Sequence, residues 1–498
     1  MAKNLVYDIH DKPKFGNMLL FALQQVLAIL AATIAVPAII GLPTQMPAAI
    51  FGAGVGTLVY QLFTRFKSPV FLGSSFAFLS SLSVALAYGY CGIVLGSIVA
   101  GLVYVVIALV IRFVGTDWVA KLMPPVIIGP TVTLIGLSLA GAAMSDIVKS
   151  NSSELYGSYN LVALLCGLVT FITVVICSSQ KRFTMPRLVP FILGIAAGYV
   201  TASIFTVIGI AANVDYLKII NWQPIVDNFV AADGSFRGFE AFFALPDFAI
   251  VEAIKELATG VIPEDVLAAT DGNSTLLNLG GVAEVIIAFL PVALVVFAEH
   301  IADHKNLSSI IDHDLIKDPG LDKTLLGDGV GSIAGTVFGV CPNTTYGESV
   351  GCVAITKNAS ICTITTTAIM CIVLSFFSPI MALLQTIPSC VMGGVCLTLY
   401  GFIAVSGLKM FKDLDLNENK NLFVVSAILI AGIGGLTIQI PYALAGNGAV
   451  AKAIQVTGIA TALILGIVTN FILSKLENSK LGKEKCVAET KENNSDEE

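Results

Sequence analysis

The stretch Val282-Ala283-Glu284-Val285-Ile286-Ile287-Ala288-Phe289-Leu290-Pro291-Val292-Ala293-Leu294-Val295-Val296-Phe297-Ala298-Glu299-His300-Ile301-Ala302-Asp303-His304 decides the fold. Glu284 apart, its run to Ala298 is long and apolar enough to lie in a membrane. Four titratable side chains then follow within six residues. An Asp at the centre of a membrane helix costs ~3 kcal/mol, and such residues mark substrate, ion or proton pathways. Glu299 and Asp303 are four apart and share one helix face; His300 and His304 share a neighbouring one. Glu299 reads as a cavity-facing group that accepts hydrogen bonds and titrates. His304 and Lys305 read as the solvated inner end of the helix, with His300 between these extremes.

Composition supports a polytopic membrane protein. The 498 residues are 56% hydrophobic and 12% charged, against about 25% charged in soluble domains. The apolar residues suffice for roughly 14 helices of ~20 residues. No cleavable signal pattern precedes Gly16 to Ile40, which reads as the first span. Cys166, Cys177, Cys371 and Cys396 sit in apolar runs without framework spacing, which argues against disulfides. The net charge of −7 argues against a nucleic-acid partner.

The expected spans are 17–41, 47–64, 71–88, 92–113, 123–143, 159–178, 188–211, 281–303, 325–341, 346–356, 361–384, 387–408, 421–438 and 450–474. With the N-terminus in the cytoplasm, 22 of the 27 lysines and arginines fall inside, so both termini are expected to be cytoplasmic. Twelve spans remain open if 71–88 and 341–356 are re-entrant. The segment 213–280 reads as an extracellular loop, with a surface helix over Phe248 to Ala258. The tail 476–498 reads as disordered and cytoplasmic, and 1–16 as a cytoplasmic N-terminus.

Met123-Pro124-Pro125-Val126-Ile127-Ile128-Gly129 resembles Ile387-Pro388-Ser389-Cys390-Val391-Met392-Gly393, and Gly73-Ser74-Ser75-Phe76 resembles Asn343-Thr344-Thr345-Tyr346. Two matches in the same order suggest a duplicated chain. Seven spans per copy, an odd number, makes the repeats inverted, as in many transporters. Gly73-Ser74-Ser75 and Pro342-Asn343-Thr344-Thr345 read as helix breaks. Their freed backbone groups are tolerable only against protein or a polar cavity.

Glu348 follows the second break. It caps the next half-helix, where the dipole favours an acid, or binds substrate, and the two roles are compatible. Phe76 and Tyr346 read as core packing or as stacking platforms for a planar substrate. His300 and His304 lack further ligands for a tetrahedral metal site. Gly-Lys-Ser/Thr is absent, which argues against an ATP-driven pump. No cofactor is expected, and an intramembrane enzyme is disfavoured.

Together these residues resemble the nucleobase–cation symporter-2 (nucleobase–ascorbate transporter) family, in its uracil permease branch. The likeness rests on Gln24-Gln25-Val26-Leu27-Ala28, Thr33 to Pro37, Gly73-Ser74-Ser75-Phe76-Ala77-Phe78 and Ala298-Glu299-His300. It continues in Asp318-Pro319-Gly320-Leu321, Pro342-Asn343-Thr344-Thr345-Tyr346-Gly347-Glu348 and Ala354-Ile355-Thr356-Lys357. The resemblance implies an all-α polytopic protein of about 14 spans in two inverted sevens, with short antiparallel strands in spans 3 and 10. It divides the chain into core spans 1–4 with the start of the gate, span 5 (17–144), and gate spans 6–7 (145–212). Core spans 8–11 (281–385) and gate spans 12–14 (386–475) complete it.

It further implies a proton symporter importing uracil across the plasma membrane by alternating access. Substrate contacts are expected from Glu299, Glu348, Phe76, Gly347, Tyr346, Ser75 and Asp303, and proton coupling from Glu299, Asp303 and His300. Expected partners are uracil or a related nucleobase, protons, the lipid bilayer and a second copy through the gate. Two departures stand out. Relatives carry histidine at the position of Asp303, and His304 is turned about 100° away from it on an ideal helix. The first span has Gln24-Gln25 where relatives often have Gln-His. A purine or xanthine permease is the alternative within the family. A passive channel or anion transporter of the related seven-plus-seven fold is the alternative outside it.

Overall fold

A computed structural model describes residues 5–150, 159–180, 186–187, 189–231, 233–444 and 450–495. Lys3, Lys181 and Arg182 of the charge pattern, and the tail end 496–498, lie outside the described residues. The chain folds as α1 (Phe15–Ile39), α2 (Met46–Phe63), β1 (Leu72–Ser74), α3 (Leu79–Leu86) and α4 (Gly89–Val114). Next come α5 (Pro125–Ser138), α6 (Leu161–Ser179), α7 (Pro190–Ala212) and α8 (Ala249–Thr259). The second half holds α9 (Leu279–Ile311), α10 (Leu321–Phe338), β2 (Asn343–Thr345), α11 (Gly347–Thr356), α12 (Ile361–Ser375) and α13 (Ser378–Gln385). It ends with α14 (Ser389–Lys409), α15 (Asn419–Ile433), β3 (Ile438–Leu444), β4 (Val450–Val456) and α16 (Gly458–Ser495). Among the described residues, nine helices are long and apolar enough to cross a membrane, with shorter apolar helices at Phe76–Leu86, Ile361–Ser375 and Asn419–Ile433. This is a multi-pass membrane architecture.

The helices pack in two groups. In one, α10 lies against α2 and α4, α12 against α1 and α2, and α9 against α4. In the other, α14 packs on α5 and α6, α6 on α7, and α15 on α16 and α5. Glycine pairs draw the first group together. A Cβ on Gly52 would stand 2.2 Å from the Gly335 carbonyl oxygen, and one on Gly56 2.7 Å from that of Gly331. Such small-residue stripes let helix backbones touch where lipid supplies no hydrophobic drive.

Three expectations are corrected. First, α9 runs eight residues past 303, to Ile311, where Asp312 ends it in the left-handed conformation. The 299–304 cluster therefore lies inside the helix, and Asn278 Oδ1 caps its start by accepting the Gly281 N–H. Second, the expected spans 421–438 and 450–474 shorten, because β3 and β4 form an antiparallel hairpin between them. Alternating Ile438-Gln439-Ile440 and the β-branched residues of 450–456 follow a strand period that an apolar count overlooks. Third, α16 continues to Ser495 through the tail expected to be disordered. That tail is rich in Lys and Glu, which are good helix formers. The surface helix expected over Phe248 to Ala258 is present as α8, docked along one face.

Docking of α8 depends on Glu256. This carboxylate is 2% exposed and accepts the N–H groups of Tyr90 at 2.8 Å and Cys91 at 3.0 Å. Those amides open α4, where N–H groups have no partner inside the helix. Tyr90 donates its hydroxyl to Asp265 at 2.6 Å. Tyr88 likewise donates to Glu284. Much of segment 213–280 is thereby fastened to the first group of helices.

Candidate substrate-binding site

The two breaks meet as paired strands. β1 and β2 are antiparallel, with Leu72 opposite Thr345, Gly73 opposite Thr344 and Ser74 opposite Asn343. Two further hydrogen bonds frame the ladder: Ser75 N–H to the Pro342 carbonyl at 3.0 Å, and Tyr346 N–H to the Phe71 carbonyl at 3.1 Å. Ser75 thus stands opposite Pro342, and Tyr346 opposite Phe71.

A helix starts directly after each strand, at Phe76 and at Gly347. Each presents first-turn N–H groups and the positive end of its dipole. Asn343 seats β2 by donating to the Gly52 carbonyl at 3.1 Å, in a notch where a Cβ on Gly335 would lie 2.1 Å from its amide nitrogen. Gln25, in the Gln24-Gln25 pair, ties α1 to α11 through Ser349 at 2.6 Å.

Four acids surround this crossing. Glu299 is half-buried, and its Oε2 is shielded from solvent without a hydrogen-bond partner. Such an orphan calls for a ligand, a water or a proton. Glu348 is half-buried in the first turn of α11, beside the exposed Gly347. Asp303 accepts from Thr345 Oγ1 at 2.9 Å, and a Cβ on Gly347 would stand 3.7 Å from its Oδ1. Asp328, on α10, lies within electrostatic reach of Glu299 and Asp303. Among the described residues, no Lys or Arg pairs with any of the four.

The two histidines have partners of their own. His300 is fully buried; its Nδ1 lies 2.7 Å from Asp328 Oδ2 and its Nε2 3.1 Å from Thr324 Oγ1. Thr344 reaches the same Asp328 oxygen at 3.4 Å. His304 is also fully buried, which corrects its reading as a solvated helix end. Its Nδ1 faces the His300 carbonyl at 2.8 Å, so Nε2 is left to accept from the Tyr60 hydroxyl, also at 2.8 Å. Ser68 Oγ stands 2.7 Å from that hydroxyl.

Of the expected aromatic contacts, Phe76 meets Tyr400 of α14 edge to face, with centroids 5.3 Å apart. It thus sits where the two helix groups touch. Tyr346 is committed to the strands. Its hydroxyl donates to the Ser74 carbonyl at 3.0 Å, and its ring covers Gly73, where a Cβ would lie 2.3 Å from ring carbons. Ser75 Oγ is buried without a partner. Asp328 escaped the sequence reading, although Gly327-Asp328-Gly329 lies inside an expected span and the argument used for Glu299 applies to it. Tyr60 and Thr345 left no comparable signal.

Crossed strands between broken helices, ringed by acids that no described Lys or Arg pairs with, in a multi-pass bundle, define a membrane permease. Residues 16–441 match the Xan_ur_permease model, and the chain belongs to this permease family. It is 35% identical over 471 residues to the uracil permease of Bacillus caldolyticus, covering 94% of each chain. It is 35% identical over 483 residues to that of Bacillus subtilis (strain 168), covering 96% of this chain and 97% of the relative. Its fold is similar to the transmembrane domain of the cyanobacterial bicarbonate transporter BicA, with TM-score 0.51 and 14% identity over 93% of this chain and all of that domain.

Proposed function

We propose that this permease imports uracil by proton symport and alternating access. The observation that carries the reading is Glu299, with its orphaned Oε2, lying beside the crossed strands within electrostatic reach of Glu348. Uracil presents two N–H donors and two carbonyl acceptors on one planar ring. Carboxylates of Glu299 and Glu348 match the donors, and N–H groups near Phe76 and Gly347 match the carbonyls. Ser75 lines the pocket, Phe76 packs on the ring, and Tyr346 holds the strands that shape it. The 35% identical uracil permeases support the choice of substrate.

Protons enter the reading through repulsion. Clustered acids disfavour one another's charged forms, so a proton on Glu299 or Asp303 eases the empty site. His300, held by Asp328, supports this coupling from behind β2. An anion substrate fits poorly among four acids, which sets the function apart from that of the bicarbonate transporter despite the shared fold.

The two packing groups fit a core of spans 1–4 and 8–11 moving against a gate of spans 5–7 and 12–14. The framed strand pair supports two inverted sevens. Both termini are placed in the cytoplasm from the charge pattern.

Radiolabelled uracil uptake tests the proposal. We expect saturable uptake that a protonophore abolishes and unlabelled xanthine does not compete for. Glu299→Gln and Glu348→Gln should lose it while reaching the membrane in normal amount. Wild-type-like uptake in both variants overturns the site, and protonophore-insensitive uptake overturns the coupling.

A further inference from the structure

We infer that the phenylalanine-rich strap 236–245 is an interfacial membrane anchor, lying at the headgroup–acyl boundary of the leaflet on its side. That leaflet is the outer one in the orientation proposed above.

The strap shows its apolar residues outward. Phe236 is 62% exposed, Phe239 75% and Leu245 69%. The rings are mutually ordered: Phe236 meets Phe242 edge to face, and Phe239 stacks on Phe243 at 5.2 Å. In water such a patch loses the drive that buries aromatics.

What covers it follows from where it is fastened. Ala244 N–H donates to the Phe376 carbonyl at 3.1 Å, and Ser378 N–H to that of Phe242 at 3.0 Å. Phe243 pairs with Phe377, with rings 5.7 Å apart. These bonds hold the strap on the turn that ends α12. The outward face of α12 carries exposed Ile369 and Val373, four residues apart, as a lipid-facing helix does. The strap thus continues a lipid-facing surface at the helix end.

Charge sets the depth. The ion pair of Arg237 with Glu240 sits between Phe236 and the later rings and stays solvent-accessible. Charged heads beside aromatic bodies belong at headgroup level, with the rings reaching the acyl boundary. A bound lipid surface, rather than a second copy of this chain, is the occupant this mixture fits.

The test places a tryptophan in the patch. Phe239→Trp and, separately, Leu245→Trp are made in the full chain carrying Trp118→Phe and Trp222→Phe, which removes both native tryptophans. Each is reconstituted in nanodiscs of plain or brominated phosphatidylcholine. Bromine in either leaflet is available, so the result does not depend on the assigned orientation or on transport. We expect emission to fall about twofold with brominated lipid, with little quenching by aqueous iodide. Quenching by iodide but not by bromine, or protection from both together with crosslinking between copies, overturns the anchor.

Discussion

Thr345 donates its hydroxyl to Asp303 at 2.9 Å, joining the first turn past Glu299 to the second of the crossed strands. Asp303 therefore lies against the strand pair, while the adjacent His304 bonds Tyr60 instead. Asp303→Ala leaves a buried donor unpaired and should lower stability by about 1–3 kcal/mol. Uracil uptake should fall with it. Asp303→Asn, which still accepts from Thr345, should recover the melting temperature but not proton-driven accumulation. Proton-driven accumulation retained by Asp303→Asn would falsify a separate proton role for Asp303.

Tyr60→Phe removes the partner of His304 Nε2 without changing volume. One neutral hydrogen bond is worth about 1 kcal/mol net, so a thermal-shift assay should show a modest loss. The site acids are untouched, and the KM for uptake should hold. A large rise in KM would mean that this tie reaches the substrate.

Gly73→Ala sets a Cβ against the Tyr346 ring at 2.3 Å, closer than any real contact. Overpacking of this kind costs about 1–3 kcal/mol. We expect uptake to collapse, because the two strands must separate. Tyr346→Phe keeps the ring and loses only the bond to Ser74, so it should remain active. Normal uptake by Gly73→Ala would show the strand pair to be loose.

Glu256→Ala strips two amides of α4 of their acceptor. Hydrogen bonds to a charged group contribute about 1.5–3 kcal/mol each. Hydrogen exchange over 249–259 should quicken strongly, and the N–H groups of Tyr90 and Cys91 should lose protection. Unchanged exchange would mean that α8 is held by other contacts.

Lys67 and Asp318 pair at 2.8 Å at the ends of α2 and α10. The Lys67 hydrogen bond holds the Asp318 carboxyl below its usual range. A depressed acid contributes stability above its unfolded pKa of about 3.9 and loses it as pH falls through the folded value. Both side chains are 40% or more exposed, so Lys67→Met should cost under about 1 kcal/mol at pH 7. Parent and variant should converge once the pH falls below the folded value of Asp318. A difference that persists there would assign the effect to lost packing of the lysine stem.

Much of the site was legible because its signals are local. Glu299 and Asp303 lie one helical turn apart, and Glu348 directly follows a helix break, so period and composition alone place all three at membrane depth. His304 was misjudged for want of a local signal. Its burial rests on Tyr60, 244 residues away in the chain, and on a helix that runs beyond the apolar window. The hairpin of β3 and β4 was missed because its residues are apolar enough to pass as span, although their alternation fits a strand.

The sequence by itself determined that the chain lives in a membrane, where its helices break, and three of the four acids beside the breaks. Hydrophobic length and backbone-breaking residues act within a few residues, so one dimension records them. Only the tertiary structure decided the pairings: Asp303 with Thr345, His300 with Asp328, Glu256 with the start of α4, and Tyr346 folded over Gly73. Each joins groups far apart in the chain, and a buried polar atom takes its partner from whatever the packed helices bring within about 3 Å.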